Sequence, residues 1–204
     1  MGFYNKHILP MCLDKACGVK PITKQREKIV PLARGTVLEI GIGSGLNLPH
    51  YDGSQITKLI GVDPDEDIWK RSAKRRSLCT FPIERIGLSG EDIPLETAAV
   101  DNAVITYTLC TIPDAVKALK EVKRIVRPGG VIYFTEHGRA PDESVAKWQN
   151  RIDPLWGKIA GGCHSGRDIP ALFKLAGIGF ERLETMYIPG PKVLSYNYFG
   201  IARP

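Results

Sequence analysis

Residues 37–47, Val-Leu-Glu-Ile-Gly-Ile-Gly-Ser-Gly-Leu-Asn, constrain this chain more than any other stretch. Val37, Leu38 and Ile40 are apolar and β-prone, as in a buried strand. Glycines follow at 41, 43 and 45. A strand that runs into closely spaced glycines and then a helix is a nucleotide-cofactor loop, because backbone without Cβ atoms turns tightly and comes close to a ligand. The spacing sorts such loops. The dinucleotide fingerprint is Gly-x-Gly-x-x-Gly. Here the third glycine arrives one residue early. Glu39 stands two residues before the first glycine, and Asp63 lies eighteen residues after the last.

Strand and helix patterns alternate around that loop. Residues 3–17 carry apolar side chains at roughly helical spacing, interrupted by Pro10. A second helix is expected from Thr23, as N-cap, to Ala33. A short helix should begin at Leu46 and be cut by Pro49. Lys58–Asp63 reads as the second strand, Asp65–Ser77 as a helix with a basic face, and Pro82–Ile86 as the third strand. Asp101–Thr106 is the fourth strand, and Asp114–Val126 an amphipathic helix stopped by Arg127-Pro-Gly-Gly130. A fifth strand over 131–134, helices over 143–159 and 168–176, and strands near 180–186 and 194–201 complete the pattern. It predicts an α/β fold, a Rossmann-like doubly wound sheet with ligands beyond the carboxyl ends of its strands. Residues 1–34 read as an N-terminal helical lid segment and 35–204 as the main domain.

At 204 residues, 43% of them hydrophobic, the chain suits one α/β domain and leaves no room for a second large one. The net charge of +6 allows an anionic partner without requiring one. Five cysteines, an odd count without Cys-x-x-Cys spacing, argue against a disulfide framework or a structural zinc site and for a reducing compartment. No apolar run approaches a transmembrane span. The expectation is a cytoplasmic protein, with peripheral membrane contact through the basic N-terminal stretch as an alternative. Tyr-x-x-x-Lys, which a short-chain dehydrogenase needs, is absent.

The Glu39-x-Gly41-x-Gly43-x-Gly45 pattern followed by Asp63 resembles the class I S-adenosylmethionine (SAM) methyltransferases. The resemblance implies a seven-stranded sheet ordered 3-2-1-4-5-7-6 with strand seven antiparallel. It implies SAM as cofactor and S-adenosylhomocysteine as product. Gly41, Gly43 and Gly45 would pass under the methionine part. Glu39 would hold the loop or reach the ammonium through water. Asp63, with Pro64 beside it, would accept both ribose hydroxyls. Gly90-Glu91-Asp92 resembles the family's adenine loop, and Thr106 ends strand four at the cofactor. Ser89 stands where the family commonly has Asp, so Glu91 or backbone must take over any contact to the adenine amine.

A second group of matches is narrower. Thr106-Tyr-Thr-Leu-Cys110, Phe134-Thr-Glu136-His137, Trp148-Gln149, Asp153-Pro-Leu-Trp156 and Gly161-Gly-Cys-His164 together resemble the thiol-methylating branch known in animals as membrane-anchored, methyltransferase-like alkyl-thiol enzymes. That implies a small, largely apolar acceptor, best a thiol. A phospholipid or quinone acceptor at the membrane surface is the alternative, because the glycine loop also resembles bacterial phosphatidylethanolamine N-methyltransferases. Methyl transfer from a sulfonium needs a positioned, deprotonated acceptor. His137, after strand five, is the first candidate base and His164 the second, with Asp153 to orient either or to recognise an amine. Trp148 and Trp156 would wall an apolar pocket or fill the core. Cys110 reads as a small buried hydrophobe. Cys163-His164 lacks further ligands at recognisable spacing, so no metal is expected. No RNA-binding module and no Asn/Asp-Pro-Pro-Tyr at strand four are present, so a nucleic-acid partner is not expected.

Overall fold

The structure, a computed structural model, describes residues 8–204. Phe3 and Tyr4, part of the first expected helix, lie outside the described residues. Seven strands form one sheet in the order β3-β2-β1-β4-β5-β7-β6. They are β1 (Gly35–Ile40), β2 (Ile56–Val62), β3 (Ile83–Ile86), β4 (Val100–Thr106), β5 (Val126–His137), β6 (Gly179–Tyr187) and β7 (Tyr196–Arg203). β7 runs antiparallel to both β5 and β6, and the pairings from β3 to β5 are parallel. This is the order and direction the resemblance implied.

The alternation of strand side chains splits the core into two layers. Leu38, Ile40, Ile60, Ile105 and Phe134 pack with the buried face of α5 (Ala115–Ile125) and with α7 (Ile169–Leu175). Val37, Leu59, Val104 and Phe199 pack on the other side with Ile29, the end of α2 (Lys20–Ile29). Asp114 starts α5 by accepting from Lys117 N at 2.9 Å, and Leu119, Val122 and Ile125 are at most 1% exposed. Side chains of that size each contribute about 1.5–3 kcal/mol when fully buried.

Several boundaries differ from expectation for visible reasons. α1 (Leu9–Cys17) carries Pro10 in its first turn rather than breaking there, since proline in a first turn lacks only a donor that would go unused. α2 likewise carries Pro21 in its first turn and starts ahead of Thr23, whose hydroxyl bonds back to Gly18 O. The stretch after the glycines makes one 3-10 turn, Leu48–His50. The basic helix is split into α3 (Glu66–Arg71) and α4 (Ala73–Arg76) at Ser72, a buried residue whose hydroxyl donates to Trp69 O at 2.7 Å. β5 begins at Val126, because Arg127–Gly130 run on past a register shift against β4. α6 (Glu143–Ile159) continues through Pro154, and α8 (Lys192–Ser195) is a single turn before β7.

Candidate active site

Beyond the carboxyl ends of β1, β2, β4 and β5 lies a cavity of about 420 Å³, roofed by α1 and α2. Its floor is the glycine loop. Gly41 N donates to Val62 O at 2.8 Å, and Gly41 and Gly45 hold φ of +71° and +74°. A Cβ on Gly41 would lie 2.1 Å from Thr108 Oγ1, so only glycine lets the loop pass beneath β4's end. Gly43 N donates to Asp63 Oδ2 at 2.9 Å, while Asp63 Oδ1 accepts from Asp65 N at 2.8 Å. Burial raises the Asp63 pKa, opposed by those two N–H groups. Each carboxylate oxygen keeps a lone pair for a further donor.

Glu39 is 1% exposed and its two oxygens are taken by the loop itself: Oε1 accepts from Asn47 Nδ2 at 2.9 Å and Oε2 from the Tyr51 hydroxyl at 2.6 Å. Asn47 also donates to Thr106 Oγ1 at 2.9 Å. The glycine loop is therefore tied to the ends of both β1 and β4. Burial lifts the Glu39 pKa to about 7, against the pull of Tyr51, Asn47 and Arg26. Arg26, on α2, lines the same cavity and is 4% exposed, yet its Nε and Nη1 are buried with no partner. Its guanidinium sits over the Tyr107 ring, 4.9 Å from the centroid. α1 is latched to the loop by Asp14, which accepts from Ser44 Oγ at 2.6 Å and Arg75 Nη1 at 2.9 Å. Those bonds outweigh burial and lower the Asp14 pKa.

At the other end of the cavity stand Cys110, His137 and Cys163. Cys163 Sγ lies 3.4 Å from His137 Nε2, and the ligand atoms of all three residues lie within 4.8 Å of one another. The neighbouring Cys110 thiol, and His137 after it, hold Cys163 down at about 4 despite burial, while Cys110 is pushed well up. Burial lowers His137, but Cys163 and Glu136 outweigh it and raise its pKa. The two shifts share a cause: each group favours the charged form of the other. His137 stacks on Tyr107, with centroids 6.3 Å apart, and Tyr107 itself holds a left-handed backbone, φ +51°. Trp156 completes this wall. Its indole N–H is buried without a hydrogen-bond partner of good geometry, yet it too favours the Cys163 thiolate.

Residues 38–134 match the methyltransferase-domain family. The chain belongs to the class I SAM-dependent methyltransferases. Thiol S-methyltransferase TMT1B of Rattus norvegicus is 35% identical over 65% of this chain and 55% of its own length. Thiol S-methyltransferase TMT1A of Homo sapiens is 31% identical over 79% of this chain and 66% of its own length. The chain thus spans roughly half to two-thirds of the length of these thiol S-methyltransferases. Among solved structures, a SAM-dependent methyltransferase of Leishmania major superposes with a TM-score of 0.69 at 17% identity, covering 96% of this chain and 79% of that one.

In this methyltransferase the residues singled out from sequence divide into two sets. Glu39, Gly41, Gly43, Asp63, Thr106 and His137 line the cavity. Gly45 supports the loop from behind, where its Cβ would meet Leu48 at 2.7 Å. Pro64, Gly90 and Glu91 lie off the cavity wall. Glu91 is occupied by Ser89 Oγ at 2.7 Å and by Asp114 N at 2.5 Å, so it organises the loop ahead of α5. Asp153 orients His164, with Nδ1 to Oδ2 at 2.7 Å, and also accepts from Ser165 N, but neither residue reaches the cavity. Trp148 is 58% exposed, neither pocket wall nor core. Gln149, its neighbour, is buried and binds Gly138 O, Ser165 O and Val193 O through one nitrogen, stapling three loops at the acceptor end.

Sequence reasoning did not bring Arg26 or Cys163 to the cavity, and it read Cys110 as a buried hydrophobe, which it is, without placing it beside His137 and Cys163. Arg26 left a signal: it shares a helical face with Ile22 and Ile29, where a charge is out of place. The cysteines left none, since 52 residues lie between Cys110 and Cys163. Among the described residues no helix is long and apolar enough to cross a membrane.

Proposed function

We propose that this chain moves a methyl group from SAM to the sulfur of a small, largely apolar thiol. The observation that carries the reading is a single, mostly apolar cavity with the glycine loop and Asp63 at one end and the Cys163–His137 pair at the other. The names of the relatives support the thiol. SAM fits the residues present: Asp63 has lone pairs free for ribose hydroxyls, and the unpartnered guanidinium of Arg26 is a ready partner for the methionine carboxylate. Bound there, SAM supplies an electrophilic methyl whose leaving group is a neutral thioether. The chain then has to hold the acceptor's sulfur in line and as thiolate, and the position of His137 on the cavity wall supports it as the group that acts on that sulfur. Residues 8–34 form a lid closed by the Asp14–Ser44–Arg75 contacts. The test is turnover of a panel of alkyl and aryl thiols with SAM. Methylation of at least one is expected; turnover of none, with SAM bound, overturns the reading.

A second reading concerns where the acceptor is met. The roof exposes Ile8, Met11 and Val19 beside Lys15, Lys20 and Lys24, a composition that suits an anionic lipid surface. Co-sedimentation with anionic vesicles at low salt is expected. An unbound protein there removes this reading and leaves the first intact.

A further inference from the structure

Three soft ligands meet at the acceptor end, and their convergence is built by contacts that do not involve the ligand atoms. Glu136 Oε1 accepts from Thr108 N at 2.8 Å and Leu109 N at 3.2 Å, which fixes the chain leading to Cys110 beside the strand that carries His137. His164 N donates to Cys110 O at 2.9 Å, which fixes the loop carrying Cys163 against the same turn. The result is two sulfurs and one imidazole nitrogen all within 4.8 Å, with Cys163 Sγ and His137 Nε2 at 3.4 Å. Tetrahedral zinc with bond lengths of about 2.3 Å to sulfur and 2.0–2.1 Å to nitrogen sets its ligands about 3.5–3.8 Å apart, so small side-chain adjustments would close the set. All three residues line the cavity. Cys17 borders that cavity too but is outside the cluster. Three protein ligands with a fourth position open to a pocket is the pattern of a catalytic zinc, whereas a structural one is closed by four.

We propose that Cys110, His137 and Cys163 bind zinc, and that the open fourth position takes the acceptor's sulfur. This rests on the thiol reading and deepens it by naming how the sulfur is activated. Two thiolates and an imidazole favour zinc among common divalent ions. On coordination the substrate thiol releases its proton to solvent and is held as thiolate. The thiolate lone pair forms the new sulfur–methyl carbon bond as the methyl–sulfonium bond breaks, and that electron pair stays on the sulfur of S-adenosylhomocysteine. The product is a neutral thioether, a weaker ligand than the thiolate, and it departs.

The experiment uses the full chain, stripped with a chelator under reducing conditions and reloaded with Co(II) as a spectroscopic probe. One equivalent should produce thiolate-to-Co(II) charge-transfer absorption and tetrahedral ligand-field bands. Both should be lost in Cys163→Ser and His137→Gln, and kept in Cys79→Ser, which lies outside the cavity. Cys110→Ser should also lose them, but its burial puts folding at risk, so the other two variants carry the test. Each variant should still bind S-adenosylhomocysteine by calorimetry, which shows that it is folded. Addition of an alkyl thiol should shift the ligand-field bands. Absence of the bands, their persistence in both variants, or a Cys110–Cys163 disulfide found in place of metal overturns the site. Bands that ignore added thiol overturn the fourth-position role. A Co(II) site that responds to thiol in a protein that methylates none would instead sink the function proposed above and leave the metal site standing.

Discussion

Replacing Arg26 by methionine should weaken cofactor binding without weakening the fold. Nearly every buried arginine is paired, because an unsatisfied buried donor costs about 1–3 kcal/mol and a charged one more. Two of Arg26's guanidinium nitrogens have no partner in the protein, and burial lowers its pKa. Methionine is apolar and of similar reach, so the exchange removes that desolvation cost. It also removes the stacking on Tyr107, worth about 0.5–2 kcal/mol, and a positive charge near Glu39 and Glu136. Burial already raises both carboxyls to about 7, so each answers the lost charge by keeping a proton rather than by breaking the fold. The two sides nearly cancel, and the ligand-free variant should melt at or somewhat above the wild-type temperature. Binding is one-sided. A charge-assisted hydrogen bond to the ligand's carboxylate contributes about 1.5–3 kcal/mol, so the Kd for S-adenosylhomocysteine should rise about ten- to 150-fold. Arg26→Lys, which keeps the charge but not the planar fork, should fall between. Calorimetric titration and thermal unfolding of the ligand-free proteins read both quantities. An unchanged Kd, or a variant that melts much lower yet binds normally, would show that Arg26 is a structural residue and refute the assignment.

Three further expectations follow from the site. Burial raises the Glu39 pKa from 4.5 to about 7, so the folded state keeps a proton that the unfolded state has released. Its contribution to stability is present below pH ~4.5 and is lost as pH rises through ~7, on the order of 3 kcal/mol. Glu39→Gln, able to bond both Asn47 and Tyr51, should flatten that part of a urea-denaturation pH series; parallel curves would contradict it. Gly41→Ala places a Cβ 2.1 Å from Thr108 Oγ1 at a φ of +71°, which should cost at least about 3 kcal/mol and be read as a drop in melting temperature, so an unshifted transition would mean the loop is free to move. His164→Ala removes a half-exposed side chain that does not line the cavity. It should leave cofactor affinity and thiol turnover near wild type, and a collapse in turnover alone would return His164 to the list of bases.

What was legible in the sequence was whatever is encoded locally. The strand–glycine loop, Asp63 at the end of β2 and the apolar stripe of α5 each declare themselves within a dozen residues. The strand order came with the family resemblance, because pairing choices between strands leave no mark on any one of them. Element ends failed where a non-local partner decided them: β5 starts ahead of Pro128 and Gly129 because Val126 already pairs with Val100 of β4 before the register shift, and the helix after β2 breaks at Ser72, which is buried beside Gly45. The acceptor end was hidden for the same reason. Cys110 looks like any small apolar residue after a strand, and Cys163 like any residue after two glycines. What makes them chemical is Glu136 and the Cys110 carbonyl drawing three distant segments together. The two ends of the cavity therefore differ in kind. The cofactor end is a local motif that one backbone loop can carry from protein to protein. The acceptor end exists only once β4, β5 and the loop after α6 have packed. A substitution that loosens that packing, such as one at Gln149, should damage acceptor use while leaving cofactor affinity largely in place, because none of Gln149's partners belongs to the glycine loop.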